Sequence, residues 1–139
     1  PMLIAIRAFL AAMALALAAG SGAFAQGADQ NLGDRLRVVY ASPDIEQAVE
    51  FYLPPPQTTA YRQRGGLGMI SLAVRNLTSQ SLQLEYKVDW FDADGFPINA
   101  VSGWRPIFLT PNEEETLRSA AQEQGAHSAR LTIRDPARL

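Results

Sequence analysis

Two carboxylates and a glycine stand together in the stretch DWFDADGFPI. Asp92 and Asp94 are two residues apart and Gly95 follows, which is the spacing found inside a calcium loop of the D-x-[DN]-x-[DN]-G type. Such a loop needs a carboxylate at its first position and a glutamate at its twelfth. With Gly95 placed sixth, those positions fall on Trp90 and Val101, which carry no carboxylate. We therefore predict a β-hairpin turn, for which Asp-Gly after an alternating strand is a strong signal.

Other residue types that carry chemistry are sparse. His127 is the only histidine, and no G-x-S-x-G motif provides a serine nucleophile for it. The chain has no cysteine, which excludes disulfides, thiolate metal sites and a cysteine nucleophile. After the first 25 residues Met69 is the one methionine, so the soft ligands of a copper site are too few. We predict no catalytic, cofactor-binding or metal-binding residue.

Carboxylates are abundant but lie in turn-like settings. The segment Glu113–Glu115 follows a Thr-Pro pair, and the aspartates surround the Asp-Gly turn. A pair of carboxylates across a cleft can hydrolyse glycosides, but acids in turns are usually solvated. The stretch RGGLG lacks the lysine and the spacing of a phosphate-binding loop. The sequence therefore predicts a protein that is not an enzyme.

The first 25 residues are typical of an export signal. Arg7 provides a positive charge, AFLAAMALALAAG provides an apolar segment, and Ala23 and Ala25 are small residues ahead of a cleavage point after Ala25. The apolar run is short and no stop-transfer charges follow it, which disfavours a permanent membrane span. We predict a helical signal peptide at residues 1–25 and a periplasmic or secreted protein after its cleavage.

Cleavage would leave 114 residues (139 − 25), enough for one modest core. These residues carry 11 basic and 14 acidic side chains, a net charge of 11 − 14 = −3. No strong basic field remains, so nucleic acid is not expected as a partner. A bacterial lipoprotein needs a cysteine just after its signal, so no lipid anchor is expected, and any association with the outer membrane would be peripheral.

Alternation of apolar and polar residues predicts several short strands. The clearest runs from Leu82 to Trp90, nine residues of unbroken period two. Shorter runs of the same kind are 69–75 and 129–133, and RLRVVY at 35–40 is a further candidate strand. Several short strands with frequent turns predict an all-β fold, with an antiparallel β-sandwich as the architecture. Residues 35–135 would form this domain, after a flexible lead-in at 26–34 and before a tail at 136–139.

Two segments are ambiguous. At Pro43–Gln47 we predict a single helical turn, because Ser42 is a suitable N-cap and Pro43 a suitable first residue, followed by a short strand. From Thr110 to Gly125 local signals favour a helix, with Thr110 as N-cap and Glu113 completing a capping box. The apolar stripe of that helix would be thin, so strand and helix both remain open.

Exposed aromatic residues can anchor a partner. Trp90 lies on the apolar face of its strand and is predicted to be a core residue. Trp104 follows Gly103 in a loop-like setting, so we take Trp104, Arg105 and Phe96 as candidate partner-binding residues.

The stretches GGLGMISLAVRNLTSQSLQLEYKVDWFDADGFPI, WRPIFLTPNEEETL and ARLTIR resemble the YcfL-like envelope proteins of proteobacteria. The residues that carry the resemblance are Asn76, Tyr86, Trp90, Asp92, Gly95, Trp104 and Pro106. The resemblance implies a small immunoglobulin-like β-sandwich, and it implies that residues 115–120 form a strand. It brings no catalytic residue, and its context is assembly of the cell envelope. Many members look like lipoproteins, whereas this chain lacks the cysteine.

Taken together, the sequence predicts an exported, non-enzymatic β-sandwich that binds another envelope component or assembles with itself, through an edge strand or the aromatic residues near Trp104. The alternative hypothesis is a module that binds a small ligand or calcium through the acidic turn.

Overall fold

The computed structural model describes residues 29–98 and 103–138. The elements follow one another as β1 (Gln30–Asn31), β2 (Leu36–Tyr40), α1 (Pro43–Ala48), β3 (Val49–Tyr52), β4 (Tyr61–Arg64), β5 (Leu67–Asn76), β6 (Leu82–Phe91), β7 (Arg105–Leu109), β8 (Glu114–Ala120) and β9 (Ser128–Arg134), and a short 3-10 helix at Pro136–Arg138 closes the described chain. The signal peptide predicted at residues 1–25 lies outside the described residues.

The strands form two sheets that face each other across one apolar core. The first sheet has five strands in the order β1-β2-β9-β6-β7. In the second sheet β5 is central: β3 and β4 pair with successive parts of one side, and β8 pairs with the other. All pairs are antiparallel except β2 with β9. The predicted all-β sandwich is therefore confirmed, with one parallel pair in an otherwise antiparallel arrangement.

The core follows from the period of two along each strand. In β6 the side chains of Leu84, Tyr86, Val88 and Trp90 are buried, and the residues between them are partly exposed. Successive side chains of a strand point to opposite faces, so one face reaches the core and the other reaches water. Trp90 is 5 % exposed, and the edge of its ring packs against Tyr61. Its predicted role as a core residue is confirmed.

Local turn chemistry accounts for two further elements. Gly65 and Gly66 both have positive φ, 60° and 81°, and join β4 to β5 in a tight hairpin. Residues other than glycine rarely adopt a positive φ at two successive positions. Helix α1 begins at Pro43 and ends at Ala48, and β3 follows at once. The predicted helical turn followed by a strand is confirmed.

The helix favoured by local signals after Thr110 does not form, because residues Glu114–Ala120 are strand β8. The capping contact itself exists: the Thr110 N–H donates to Glu113 Oε1 at 2.8 Å. It closes a turn in which Asn112 has φ of 62°, outside the helical region. The only buried residue of β8 is Leu117, opposite Leu72 of β5, so pairing with β5 outweighs a helix with little area to bury.

The lead-in predicted to be flexible, residues 26–34, contains strand β1. Gln30 holds this strand in place, because its Nε2 donates to the Phe51 carbonyl at 3.1 Å and its Oε1 accepts from the Tyr40 hydroxyl at 2.7 Å. These contacts cannot be read from a short polar segment, since both partners lie on other strands. In the described part of the chain no helix is long and apolar enough to cross a membrane.

Candidate functional site

The outer face of the five-stranded sheet is where the structure concentrates polar side chains around an aromatic ring. We call it the Trp104 face and define it by Glu85, Lys87, Asp89, Trp104, Arg130, Thr132 and Arg134. Strands β6 and β9 place these groups side by side, since Glu85 lies opposite Arg134, Lys87 opposite Thr132 and Asp89 opposite Arg130. They alternate with buried residues along both strands, so they all point away from the core.

The ring of Trp104 lies against two cations of this face. The guanidinium carbon of Arg134 is 3.6 Å from the ring centroid, and Nζ of Lys87 is 5.1 Å from it. Trp104 is half-buried. Contact between a cation and the face of an indole is attractive because the ring face carries negative charge. The two cations therefore hold the tryptophan on the sheet.

Ion pairs hold the cations in turn. Arg134 contacts Glu85 Oε1 at 3.1 Å, and both side chains are 24 % exposed. Asp89 Oδ2 is 3.4 Å from Arg130 and 4.0 Å from Lys87. Partly exposed pairs of this kind are worth little individually, but a ladder of them restricts the long side chains. Arg134 is thereby fixed between a carboxylate and an aromatic ring.

A depression of about 320 Å³ lies between this face and helix α1. Ser42 and Ile45 line its helix side, and Lys87, Trp104 and Arg130 line its sheet side. Two buried polar atoms here, Ser42 Oγ and Arg130 Nε, have no hydrogen-bond partner among the described residues. A buried polar atom without a hydrogen-bond partner is unfavourable. Both of the unpartnered buried side-chain atoms of the described residues line this depression.

Strand β7 adds apolar groups to the same face. Ile107 and Leu109 point into the core, so Phe108 between them points outward and is 62 % exposed. Pro106 lies opposite Glu85 and is also exposed. Together with Trp104 they form a series of outward-facing residues at every second position, Trp104, Pro106 and Phe108. We call this series the aromatic row after its first and last members.

The three residues predicted as candidate partner-binding groups do not share one surface. Trp104 lies on the face just described. Arg105 is exposed but lies opposite the buried Tyr86, so its backbone position belongs to the inner side of β7. Phe96 is 66 % exposed at the tip of the hairpin after β6. From Lys87 to Phe91 the strand rises by roughly 13 Å, which separates Phe96 from Trp104.

The hairpin tip has the turn structure predicted for it. Asp92 Oδ1 accepts hydrogen bonds from the backbone N–H groups of Asp94 and Phe96, at 2.9 and 3.0 Å. Gly95 has φ of 86°, which a side chain would disfavour. The Asp92 carboxylate therefore stabilises the turn. Within residues 29–98 and 103–138, no three His, Cys, Asp or Glu side chains are grouped so that they could hold a metal ion. His127 is exposed.

A second polar region lies inside the fold, where Asn76 ends β5. Its Nδ2 donates to the carbonyls of Gln80, Leu109 and Thr110 at 2.7, 3.1 and 3.1 Å. Its Oδ1 accepts from the N–H and the hydroxyl of Thr78 at 2.8 and 2.7 Å. Asn76 is fully buried, and sequence reasoning identified it only through the family resemblance.

Tyr40 is a third buried polar group. Its hydroxyl donates to Gln30 Oε1, and the side chain is 4 % exposed. Burial, together with the negative charges of Glu46 and Glu50, raises the pKa of Tyr40 to about 12. The phenol is therefore a structural donor and not a proton-transfer group at neutral pH.

Sequence reasoning did not identify Lys87 and Arg134 as site residues. The alternation of their strands does predict that both point to water. Their contact with Trp104 depends on β6 lying between β7 and β9, which alternation does not reveal.

The two-sheet architecture defines a small β-sandwich, and the outer face of its five-stranded sheet carries a tryptophan held by ion-paired cations. The family model described as Protein of unknown function (DUF1425) matches residues 55–135, more than half of the chain. The chain therefore belongs to the DUF1425 family. The matched segment contains β4 to β9 and so includes the aromatic row.

Two solved structures resemble the fold. A DUF1425 family member from Shewanella sp. pv-4 aligns with a TM-score of 0.53 at 16 % identity, over 63 % of this chain and 77 % of that one. Campylobacter jejuni cj0090 aligns with a TM-score of 0.54 at 24 % identity, over 76 % of this chain and 99 % of that one. At these identities the likeness concerns the fold. No curated protein matches the chain.

Proposed function

We propose that this protein is an exported, non-enzymatic binding protein of the cell envelope, which holds another envelope component on its aromatic row. Within the DUF1425 family we place it with the YcfL-like proteins, on the residues from Asn76 to Pro106 that carry the resemblance. Its role would be accessory or structural, in envelope assembly.

One observation carries the proposal: an aromatic side chain that is held in place and an exposed one lie on the same face of the sheet. Trp104 is fixed by Arg134, so binding through it would cost little side-chain entropy. Phe108 is exposed on the same outer face of the sheet, four residues further along the chain. Tryptophan and arginine are enriched among the residues that dominate binding energy, and phenylalanine is common in interface cores.

The proposed location rests on the sequence. Residues 1–25 have the charge, apolar segment and small residues of a signal peptide. Fractionation of cells that express the protein, followed by sequencing of its N-terminus, tests this part. Recovery in the periplasm with Gln26 as first residue is expected. Recovery in the cytoplasm with residues 1–25 attached would contradict it.

The binding surface can be tested with two phenylalanines of nearly equal exposure. A photo-reactive amino acid is introduced at Phe108, 62 % exposed, or at Phe96, 66 % exposed. Cells are irradiated, and cross-linked products are separated by electrophoresis and identified by mass spectrometry. A discrete product from position 108 that the Trp104→Ala substitution removes is expected, with none from position 96.

The comparison between the two positions decides the result. A product from position 96 alone would move the binding surface to the hairpin tip. Equal products from both positions would indicate contact without a defined surface. Thermal melting of Trp104→Ala is the control, because an unfolded variant would lose binding for an uninformative reason.

A further inference from the structure

Most sheet edges of the described chain are protected against pairing with another strand. Strand β7 contains Pro106, which has no N–H to donate. Strand β3 has its Phe51 carbonyl occupied by Gln30 Nε2. Strand β1 has two residues, and β4 carries the like charges of Arg62 and Arg64. Short strands, proline and charge are the usual means of blocking an edge.

Strand β8 is different. It has seven residues, Glu114–Ala120, without proline, and among the described strands it pairs only with β5. Its charged residues, Glu114, Glu115 and Arg118, are of both signs, so they do not simply repel a second copy as the two arginines of β4 would. Residues 114, 115, 116 and 118 are exposed. A strand of this length at the edge of a sheet presents a series of unpaired backbone groups that a further strand can use.

The hydrogen bonds at the two ends of β8 show which backbone groups are free. At one end Ala121 N–H donates to the Gly68 carbonyl at 2.8 Å, and at the other Asn76 N–H donates to the Glu113 carbonyl at 3.0 Å. Bonded pairs alternate along an antiparallel ladder, so the odd-numbered residues of β8 face β5. The N–H and C=O groups of Glu114, Thr116 and Arg118 therefore point to the open edge.

The side chains of these three residues share the outer face of the sheet, since Leu117 between them is buried. Within residues 29–98 and 103–138, neither Glu114 nor Arg118 forms an ion pair. Glu114 lies opposite Arg75, but the Arg75 side chain turns to Tyr52, with 3.2 Å between Nη2 and the hydroxyl oxygen. On its outer face the open edge thus carries one acid and one base, four positions apart, while Glu115 lies on the other face of the strand.

We propose that β8 pairs antiparallel with β8 of a second copy of this chain, about a two-fold axis at Thr116. In this register Glu114 lies opposite Arg118 of the second copy, Arg118 lies opposite its Glu114, and the two Thr116 residues face each other. Opposite charges and threonine pairs in such positions stabilise a sheet. The two-fold axis repeats the contact between Glu114 and Arg118, so this contact occurs twice, whereas the Thr116 pair on the axis occurs once.

Neighbouring registers are less favourable. An axis at Arg118 would place the two arginines opposite each other, which destabilises a pair. An axis at Leu117 would place Glu114 opposite Ala120 and so separate the opposite charges. The charge pattern therefore selects the register at Thr116. The resulting dimer joins two four-stranded sheets into one continuous sheet and leaves the Trp104 face free.

The test uses charge exchange, measured by sedimentation velocity over a range of concentrations on protein purified after expression of the complete gene. Arg118→Glu and Glu114→Arg are each expected to weaken the dimer by about tenfold or more, because like charges then face each other. An equimolar mixture of the two variants is expected to dimerise again, since each supplies the charge the other lacks. Arg62→Glu on β4 is the control of equal charge change.

Hydrogen exchange gives a second readout that folding alone would not change. The amides of Thr116 and Arg118 point to the open edge, whereas the amide of Leu117 is bonded to β5. Protection of Thr116 and Arg118 should increase with protein concentration, while protection of Leu117 stays constant.

Three outcomes would overturn the proposal: a wild-type chain that is monomeric at all concentrations, a mixture that associates no better than its components, or an equal effect of Arg62→Glu. Melting curves of each variant confirm that it is folded before its association is interpreted.

Discussion

Two polar regions of this sandwich, the Asn76 junction inside it and the Trp104 face outside it, handle their polar groups in opposite ways. Asn76 is fully buried and its amide nitrogen and oxygen both have partners. The amide ties the end of β5 to the carbonyls of Leu109 and Thr110 at the end of β7, and so joins the two sheets. Full satisfaction of a buried amide specifies one arrangement of the chain.

The Trp104 face combines several weak interactions that water can reach. Its ion pairs are partly exposed, its aromatic ring is half-buried, and Arg130 Nε has no hydrogen-bond partner among the described residues. Interactions of this type contribute little to folding but can hold side chains in position for a partner. The difference indicates that polar residues secure the fold at Asn76 and order side chains at the surface around Trp104.

The largest effect is expected at the Asn76 junction. Asn76→Asp keeps the shape and the acceptor for Thr78, but it replaces a donor to three carbonyls with a second acceptor. Repulsion and unpaired carbonyls should lower the free energy of unfolding by about 3–4 kcal/mol. Denaturation in urea measures this loss. A loss of stability below about 1 kcal/mol would mean that the polar contacts of Asn76 contribute no more to folding than the ion pairs of the Trp104 face.

A charge created inside the fold should have the next largest effect. Tyr40 in the folded chain keeps its proton up to its pKa of about 12, whereas in the unfolded chain it loses the proton near the ordinary value of 10.0. Stability is therefore complete below about pH 10 and falls as the pH rises towards 12, by about 2–3 kcal/mol in all.

Comparison of the wild type with Tyr40→Phe isolates this contribution. At neutral pH the variant loses one hydrogen bond to Gln30, about 1 kcal/mol. The stability difference between the two proteins should shrink and reverse between pH 10 and 12, as followed by urea denaturation at each pH. A difference independent of pH would contradict burial of the phenol.

On the Trp104 face the expected effects on stability are smaller. Arg134→Lys keeps the charge but loses the planar group that stacks 3.6 Å from the Trp104 ring. A loss of about 1 kcal/mol is expected, with a change in tryptophan fluorescence as the indole becomes more exposed. Lys87→Arg is the matched control, since Lys87 is farther from the ring, at 5.1 Å. Equal effects of the two substitutions would argue against a specific stack.

The smallest effect is expected for the ion pairs. Asp89→Asn removes the charge that faces Arg130 and Lys87. Because the pairs are partly exposed, the loss should be below about 1 kcal/mol and should shrink further in 1 M salt. Thermal melting at low and high ionic strength measures it. A large loss of stability that salt does not reduce would mean that Asp89, like Asn76, stabilises the fold as a buried polar group.

Much of the fold could be predicted from local patterns. The alternation from Leu82 to Trp90 identified β6 and its buried face, and the Asp-Gly and Gly-Gly pairs identified turns. These signals depend on neighbours in sequence, which the pattern itself contains. In the segment after Thr110 the local signals favour a helix, but the structure has a strand. Its capping contact forms, but pairing with the open side of β5 makes it a strand.

The candidate site was predicted only in part. The sequence identified Trp104 as outside the core but grouped it with Arg105 and Phe96, which lie on other surfaces. Its actual partners come from β6 and β9, and no spacing in the sequence brings those strands beside Trp104.

The sequence by itself determined which residues of each strand face the core, because a period of two is a property of neighbouring residues. It also determined that the chain lacks cysteine and any dense basic charge. Only the tertiary structure decided which strands are neighbours, and hence that Asn76 joins the two sheets, that Arg134 meets Trp104, and that β8 is an open edge. These features depend on contacts between segments far apart in the chain, where the pairing of whole strands outweighs local preference.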